Sequence, residues 1–219
     1  IVHNYIEKSF NHAIVNGPIS KKHFLKKKFP GITEYIASKT KSKKPVMLIF
    51  NKNLAVNPLT THIPIKRVSK LIKKKKIIDN VRQINEFYKR ILGKIPKFAI
   101  LGLNPHCEST DTLSEEKSEI IPAVKFLRKQ KISVEGPMPA DTFFLEKNIK
   151  KFDVVVGMYH DQVLTPVKTL FKFNAINITI GLPFIKITPD HGPNFKMIGK
   201  NKSDPASIFY AFDFLNKIR

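Results

Sequence analysis

Four stretches of the chain are short, nearly continuous apolar runs: VMLIF (46–50), KFAILGL (97–103), the segment 153–158 around Val154-Val155-Val156, and NAINITI (174–180). Their length and flanking Lys, Pro, Asn and Gly residues predict buried strands. Elsewhere the apolar spacing changes to three and four. Ile77, Ile78, Val81, Ile84, Tyr88 and Ile91 predict a helix over 70–92, stopped by Gly93 and Pro96. Ile120, Ile121, Val124 and Leu127 predict another, with Thr112 and Glu115 as a capping box and Pro122 expected to kink it or shift its start. A last helix carries Ile208, Ala211, Phe212 and Leu215, and Val2, Ile6, Phe10 and Ala13 read as helical at the start. Strands alternating with helices predict an α/β fold with a largely parallel sheet. In such folds, sites lie beyond the carboxyl ends of the strands.

The 219 residues suffice for one large domain or two modest ones. A single cysteine, Cys107, excludes an internal disulfide and fits a reducing, cytoplasmic compartment. No apolar stretch approaches the ~20 residues of a membrane span, and no signal-peptide pattern opens the chain. The first residue is Ile1 rather than methionine, so the chain is expected to be a fragment lacking an N-terminal segment.

The net charge is +22, from 39 Lys+Arg against 17 Asp+Glu. This excess raises nucleic acid as a partner. Only Arg67, Arg82, Arg90, Arg128 and Arg219 are arginines, however, and the lysines come in runs such as Lys26–Lys28 and Lys73–Lys76. Nucleic-acid readers rely on the bidentate arginine fork. The composition therefore favours a solvated lysine surface, which still attracts small anions.

Of the seven histidines, His3, His12 and His23 sit in lysine-rich surroundings and read as surface residues. His62, His106 and His160 each follow a strand-like segment. Three imidazoles can hold a divalent metal with one position open. Their separations of 44 and 54 residues match no short metal motif, so spacing alone leaves the metal site and coincidence both open.

The motifs TTHIP (60–64), GLNPH (102–106), GPMPADTFF (136–144), MYHDQ (158–162) and NITIGLPFIKITPDHG (177–192) are more specific. In this order they resemble the 4-hydroxythreonine-4-phosphate dehydrogenase family of pyridoxal phosphate biosynthesis, over essentially the whole chain. The family's Gly-rich N-terminal segment has no match here. The resemblance implies a two-lobed fold of the isocitrate/isopropylmalate dehydrogenase type. Residues 1–20 and 152–219 would be the remainder of the nucleotide-binding lobe, and 21–151 the substrate and dimerisation lobe. It implies NAD as oxidant and a divalent metal (Zn, Mg, Mn or Co) on His62, His106 and His160. That site would be shared across a homodimer, with His160 offered to the neighbouring subunit. Asp161 and Asp141 become candidates for the catalytic base or for orienting an imidazole; a helix N-cap is the equal alternative for Asp141.

For a phosphorylated substrate the resemblance points to Thr33, Lys168, Asn177 and Lys186. For NAD it points to His191, Gly192 and Asp204, by similarity to the adenosine-side loop of isopropylmalate dehydrogenases. A hydrogen-bonded structural histidine and a tight turn are the alternatives for the first two. Two departures stand out. Ile32 replaces the histidine of the family's Gly-His-Thr-Glu, and Lys186 replaces an arginine, keeping the charge but losing the fork. Three other readings stay open: a dehydrogenase of threonate or erythronate phosphate, a basic nucleic-acid-binding protein, and an inactive truncated remnant.

Overall fold

A computed structural model describes all residues except 1–12, 18, 20–28, 30, 43, 109–113, 173, 193–194 and 219. The helical reading of Val2, Ile6 and Phe10, the histidines His3, His12 and His23, the lysines Lys26–Lys28 and the capping residue Thr112 lie outside the described residues. The chain forms two compact units, residues 1–49 with 173–219 and residues 50–172. These differ from the expected lobe boundaries: 21–49 join the first unit and 152–172 the second.

In the first unit the strands are β1 (Ala13–Val15), β2 (Val46–Phe50), β7 (Ile176–Ile180) and β8 (Ile185–Pro189), in the order β1-β8-β7-β2. Ala13, expected in a helix, opens β1 instead. β1 runs parallel to β8, while β7 and β8 form an antiparallel pair with Asn177 opposite Thr188 and Thr179 opposite Lys186. Helix α1 (Ile32–Lys39) and the C-terminal α8 (Ala206–Lys217) belong to this unit. The buried Ser207 hydroxyl donates to the Ala175 carbonyl (2.7 Å) and accepts from the Asp190 N–H (2.9 Å), fastening α8 to the ends of β7 and β8.

The second unit holds β3 (Ala55–Pro58), β4 (Phe98–Leu101), β5 (Val134–Met138) and β6 (Val154–Gly157), all parallel, in the order β3-β6-β4-β5. Its short α2 (Val68–Leu71) and long α3 (Lys74–Ile91) divide the single helix expected over 70–92. The break has a physical cause. Ile72 leaves helical geometry to become fully buried, and four consecutive lysines at a helix start oppose the macrodipole. Glu119 compensates, accepting from the Lys74 N–H (2.6 Å) and from Lys73 Nζ (3.2 Å). Pro122 does shift a start: a π-helical turn (Glu116–Ile120) precedes α4 (Ile121–Lys129), and Pro122 sits in the first turn of α4, where its missing N–H is harmless. α5 (Ala140–Phe143), α6 (Glu146–Ile149) and α7 (His160–Phe171) complete the unit. Apolar residues of α3, α4 and α7, among them Ile77, Val81, Ile84, Leu127 and Val163, are fully buried alongside Val154–Val156 and Phe98–Leu101.

Gly136 is a fixed point of β5. Its φ is +145°, and a Cβ there would lie 2.5 Å from the Ile100 carbonyl oxygen. Gly136→Ala combines a forbidden backbone angle with a backbone clash and is expected to cost at least about 3 kcal/mol of unfolding free energy. Urea titration measures this; a change under about 0.5 kcal/mol would show that β5 can move away from β4.

Candidate active site

β6 lies between β3 and β4, so the turns after these three parallel strands leave the sheet side by side at its carboxyl edge. His62 follows β3, His160 follows β6 and His106 follows β4. The His62 and His160 rings stand 5.7 Å apart between centroids, tilted by 38°. His160 is the first residue of α7, and its Nδ1 lies 2.6 Å from Asp161 Oδ1. That contact orients the ring and leaves Nε2 for another partner. His106 Nδ1 is 3.8 Å from Asp141 Oδ2.

Within one chain the adjacency of β3 and β6 brings the His62 ring beside that of His160. Among the described residues no set of three His, Cys, Asp or Glu side chains is close enough to hold a metal. His62 and His160 are candidate metal donors, with Asp161 against the Nδ1 of His160. Asp141 is not an N-cap, since Pro139 occupies that place and Asp141 lies in the first turn of α5, accepting from the Thr142 N–H (2.9 Å).

The backbone here is strained. His62 (φ 49°), His106 (φ 55°) and Cys107 (φ 59°) adopt the left-handed region that non-glycine residues avoid. Such angles persist only where surrounding bonds enforce them. Around His106 the enforcing group is Glu116, 1% exposed, which accepts from the Leu103 N–H (2.7 Å), the Asn104 N–H (2.8 Å) and the Asn104 amide (2.7 Å). Burial alone would raise the Glu116 carboxyl, but these donors outweigh it and hold the pKa below the ordinary value. Burial pushes the Cys107 thiol up and nearby carboxylates add to this, against a downward pull from the Gly102 backbone. Glu116 escaped the sequence reading because nothing local marks it.

Along α7, His160, Asp161, Leu164, Thr165, Lys168 and Thr169 line an open groove of about 470 Å³. Lys168 stands two helical turns, about 12 Å, from His160 on the same face.

The first unit gathers a second set. Asn177 and Thr179 on β7 face the same side of the sheet as Lys186 and Thr188 on β8, because each pair is two residues apart and the two pairs are directly opposed. Thr33 of α1 reaches this face, its hydroxyl 3.5 Å from that of Thr179. Lys186 is 1% exposed and donates to Thr188 Oγ1 (3.0 Å). Burial lowers its pKa to about 8, against a smaller upward pull from Glu34. The Asn177 Oδ1 is buried without a hydrogen-bond partner. Three of the four residues expected to bind substrate, Thr33, Asn177 and Lys186, thus share one face with Thr179 and Thr188, which sequence reasoning missed although Asn-x-Thr and Lys-x-Thr carry the period of two. Ile32, the departure from the family pattern, opens α1 beside Gly31, where a Cβ would lie 2.8 Å from Glu34 Oε2.

The residues expected to hold NAD are exposed. His191 Nδ1 lies 3.2 Å from the Gly192 carbonyl, and a Cβ at Gly192 would meet nothing within 4 Å, so crowding does not explain that glycine. Asp204 Oδ1 accepts from the Ala206 N–H (2.8 Å) at the start of α8, a structural task of its own.

No helix among the described residues is long and apolar enough to cross a membrane. Comparison with known proteins identifies the lineage. The 4-hydroxythreonine-4-phosphate dehydrogenase of Sulfurihydrogenibium sp. strain YO3AOP1 is 44% identical over 205 residues, covering 92% of this chain and 63% of that relative. The chain thus spans less than two thirds of its relative's length. The crystal structure of the Klebsiella pneumoniae 4-hydroxythreonine-4-phosphate dehydrogenase superposes with a TM-score of 0.79 at 32% identity, over 94% of this chain and 64% of that one. A terephthalate 1,2-cis-dihydrodiol dehydrogenase from Burkholderia xenovorans LB400 shares the fold at a TM-score of 0.71 and 22% identity, over 94% and 66% of the two chains. The model of the pyridoxal phosphate biosynthetic protein PdxA matches residues 3–215, and this chain belongs to that family.

Proposed function

We propose that the protein oxidises 4-phosphohydroxy-L-threonine at its C3 hydroxyl with NAD and releases carbon dioxide, giving 3-amino-2-oxopropyl phosphate for pyridoxal phosphate biosynthesis in the cytoplasm. Family membership carries this reading, and the strand-end cluster of His62, His160 and Asp161 supports it most directly.

His62, His106 and His160 would hold a divalent cation (Zn, Mg, Mn or Co), with the site shared across a homodimer and His160 offered to the neighbouring subunit. Bound there, such a cation supplies Lewis acidity, which lowers the pKa of a substrate hydroxyl and polarises a carbonyl. His191, Gly192 and Asp204, on an exposed stretch, would hold NAD, which would supply the hydride acceptor. The remaining work falls to side chains of this chain. Asp161 fixes the His160 tautomer through Nδ1, and it or Asp141 takes the proton released from the C3 hydroxyl. Oxidation places a carbonyl β to the carboxylate; the carbon–carbon bond then breaks, its electron pair passes to the carbonyl, and a proton returns to the carbon that lost the carboxylate. Lys168 and Lys186 bind phosphate charge, and Thr33 and Asn177 offer hydrogen bonds.

The second reading, a dehydrogenase of threonate or erythronate phosphate, rests on Ile32 and Lys186. Nicotinamide reduction measured with each phosphorylated acid separates the two. The proposal expects 4-phosphohydroxy-L-threonine to give the highest kcat/KM; preference for an acid lacking the amino group would replace it by the second reading.

A further inference from the structure

Gln162 stands two residues beyond His160, and neither metal binding nor proton transfer uses it. Its side-chain amide spans two strand-end turns. Oε1 accepts from the Met158 N–H (2.6 Å), and Nε2 donates to the Gly102 carbonyl (2.7 Å). Both contacts are to backbone, one to a donor and one to an acceptor, so the amide can lie only one way round. Met158 precedes His160, and Gly102 opens the turn that carries His106. Met158 also accepts, through its own carbonyl, from the buried Thr60 hydroxyl (2.7 Å), two residues before His62. Beyond Gly102, Glu116 takes the next two N–H groups. Hydrogen bonds through the two backbone groups of Met158 and through Gln162 therefore link the His62 turn to the His106 turn.

The surrounding sequence makes room for it. A Cβ at Gly157 would lie 3.1 Å from Gln162 Oε1 and 2.4 Å from Val163 Cγ1. One at Gly102 would lie 3.2 Å from Glu116 Oε1 and 2.6 Å from Cys107 Sγ. Two glycines without a positive φ thus stand where polar side chains close in on the backbone.

We propose that Gln162 is a positioning residue that holds the His106 and His160 turns in register through its bridge from Met158 to Gly102. The left-handed angle at His106 needs such external support, and a misplacement of about 1 Å in a reacting constellation is enough to lose roughly 100-fold in rate. The proposal rests on the reading that these turns carry metal ligands.

Gln162→Glu is the discriminating variant, since it keeps the acceptor for Met158 but faces the Gly102 carbonyl with an oxygen. Zn²⁺ affinity by chelator competition and the NMR ring signals of His62, His106, His160 and His191 are compared with those of the unaltered chain. Gln162→Glu is expected to weaken Zn²⁺ binding by about 10-fold or more and to broaden the His106 and His160 signals while His191 stays sharp. A folded variant with Zn²⁺ affinity within about twofold and unchanged ring signals, even at a lower melting temperature, would overturn the proposal. If Gln162→Glu does not fold, Gln162→Met, of similar length and without either bond, is judged by the same signals. If the unaltered chain binds no Zn²⁺, the functional reading falls, and the ring signals alone decide the role of Gln162.

Discussion

Replacing His160 by alanine is expected to weaken divalent-metal binding by at least about 100-fold, more than the 10- to 100-fold loss typical of an outer-shell change. The expectation follows from adjacency. His160 and His62 are the two imidazoles that the parallel pairing of β3 and β6 brings to 5.7 Å within one chain. Removing either takes away one of the three proposed imidazole donors. Asp161→Asn should fall in between, because it weakens the acceptor on His160 Nδ1 but keeps the ring. His191→Ala, in the other unit, should leave metal affinity unchanged. Calorimetry with Zn²⁺ on the four proteins orders them; full occupancy after His160→Ala would remove the metal site from the account.

The second large effect concerns Lys186. Lys186→Met is expected to make the unliganded protein more stable and, in the same molecule, to weaken phosphate-ester binding by roughly 100-fold, the loss of a charge-assisted bond. Methionine matches the buried stem in length but needs no solvation. The lysine is 1% exposed, and burial lowers its pKa from 10.5 to about 8. The charged form therefore opposes folding by roughly 3 kcal/mol at pH 7. The pH dependence has a definite sign. Below pH 8 both folded and unfolded chains hold this proton, and the penalty is constant. Between about 8 and 10.5 the unfolded chain binds more protons, so this lysine's contribution rises with pH across that window. Lys186→Met should lose that rise. Denaturant titrations at pH 7 and pH 10 test it, and a variant less stable than the parent at pH 7 would show that Lys186 is held by favourable bonds rather than tolerated for binding.

How much of this was readable from the residues depends on how local each signal is. KFAILGL and the valines at 154–156 became strands because buried parallel strands are continuous apolar runs, and the apolar run VMLIF became β2. β5, with Gly136 and Pro137, and β8, with buried Lys186, have no such run; their strand geometry comes from neighbours. The long helix broke at Ile72 because a buried side chain and a lysine run outweighed periodicity. The three strand-end histidines were visible as strand-end residues, but which two meet depends on strand order, and 98 residues separate His62 from His160. The Lys186 face needed the antiparallel register of β7 and β8, which follows from neither motif alone. Gln162 in MYHDQ was plain in the sequence, but its partners Met158 and Gly102 were not.

The central claim is the coupling of oxidation to decarboxylation on one phosphorylated amino acid. The most direct measurement supplies the full chain with a divalent metal, NAD and 4-phosphohydroxy-L-threonine carrying an isotopic label in its carboxylate, then counts reduced nicotinamide and labelled carbon dioxide together. The account predicts one carbon dioxide for each nicotinamide reduced, with both lost in His160→Ala. Nicotinamide reduction without carbon dioxide, or neither product from a folded, metal-loaded protein, would contradict it.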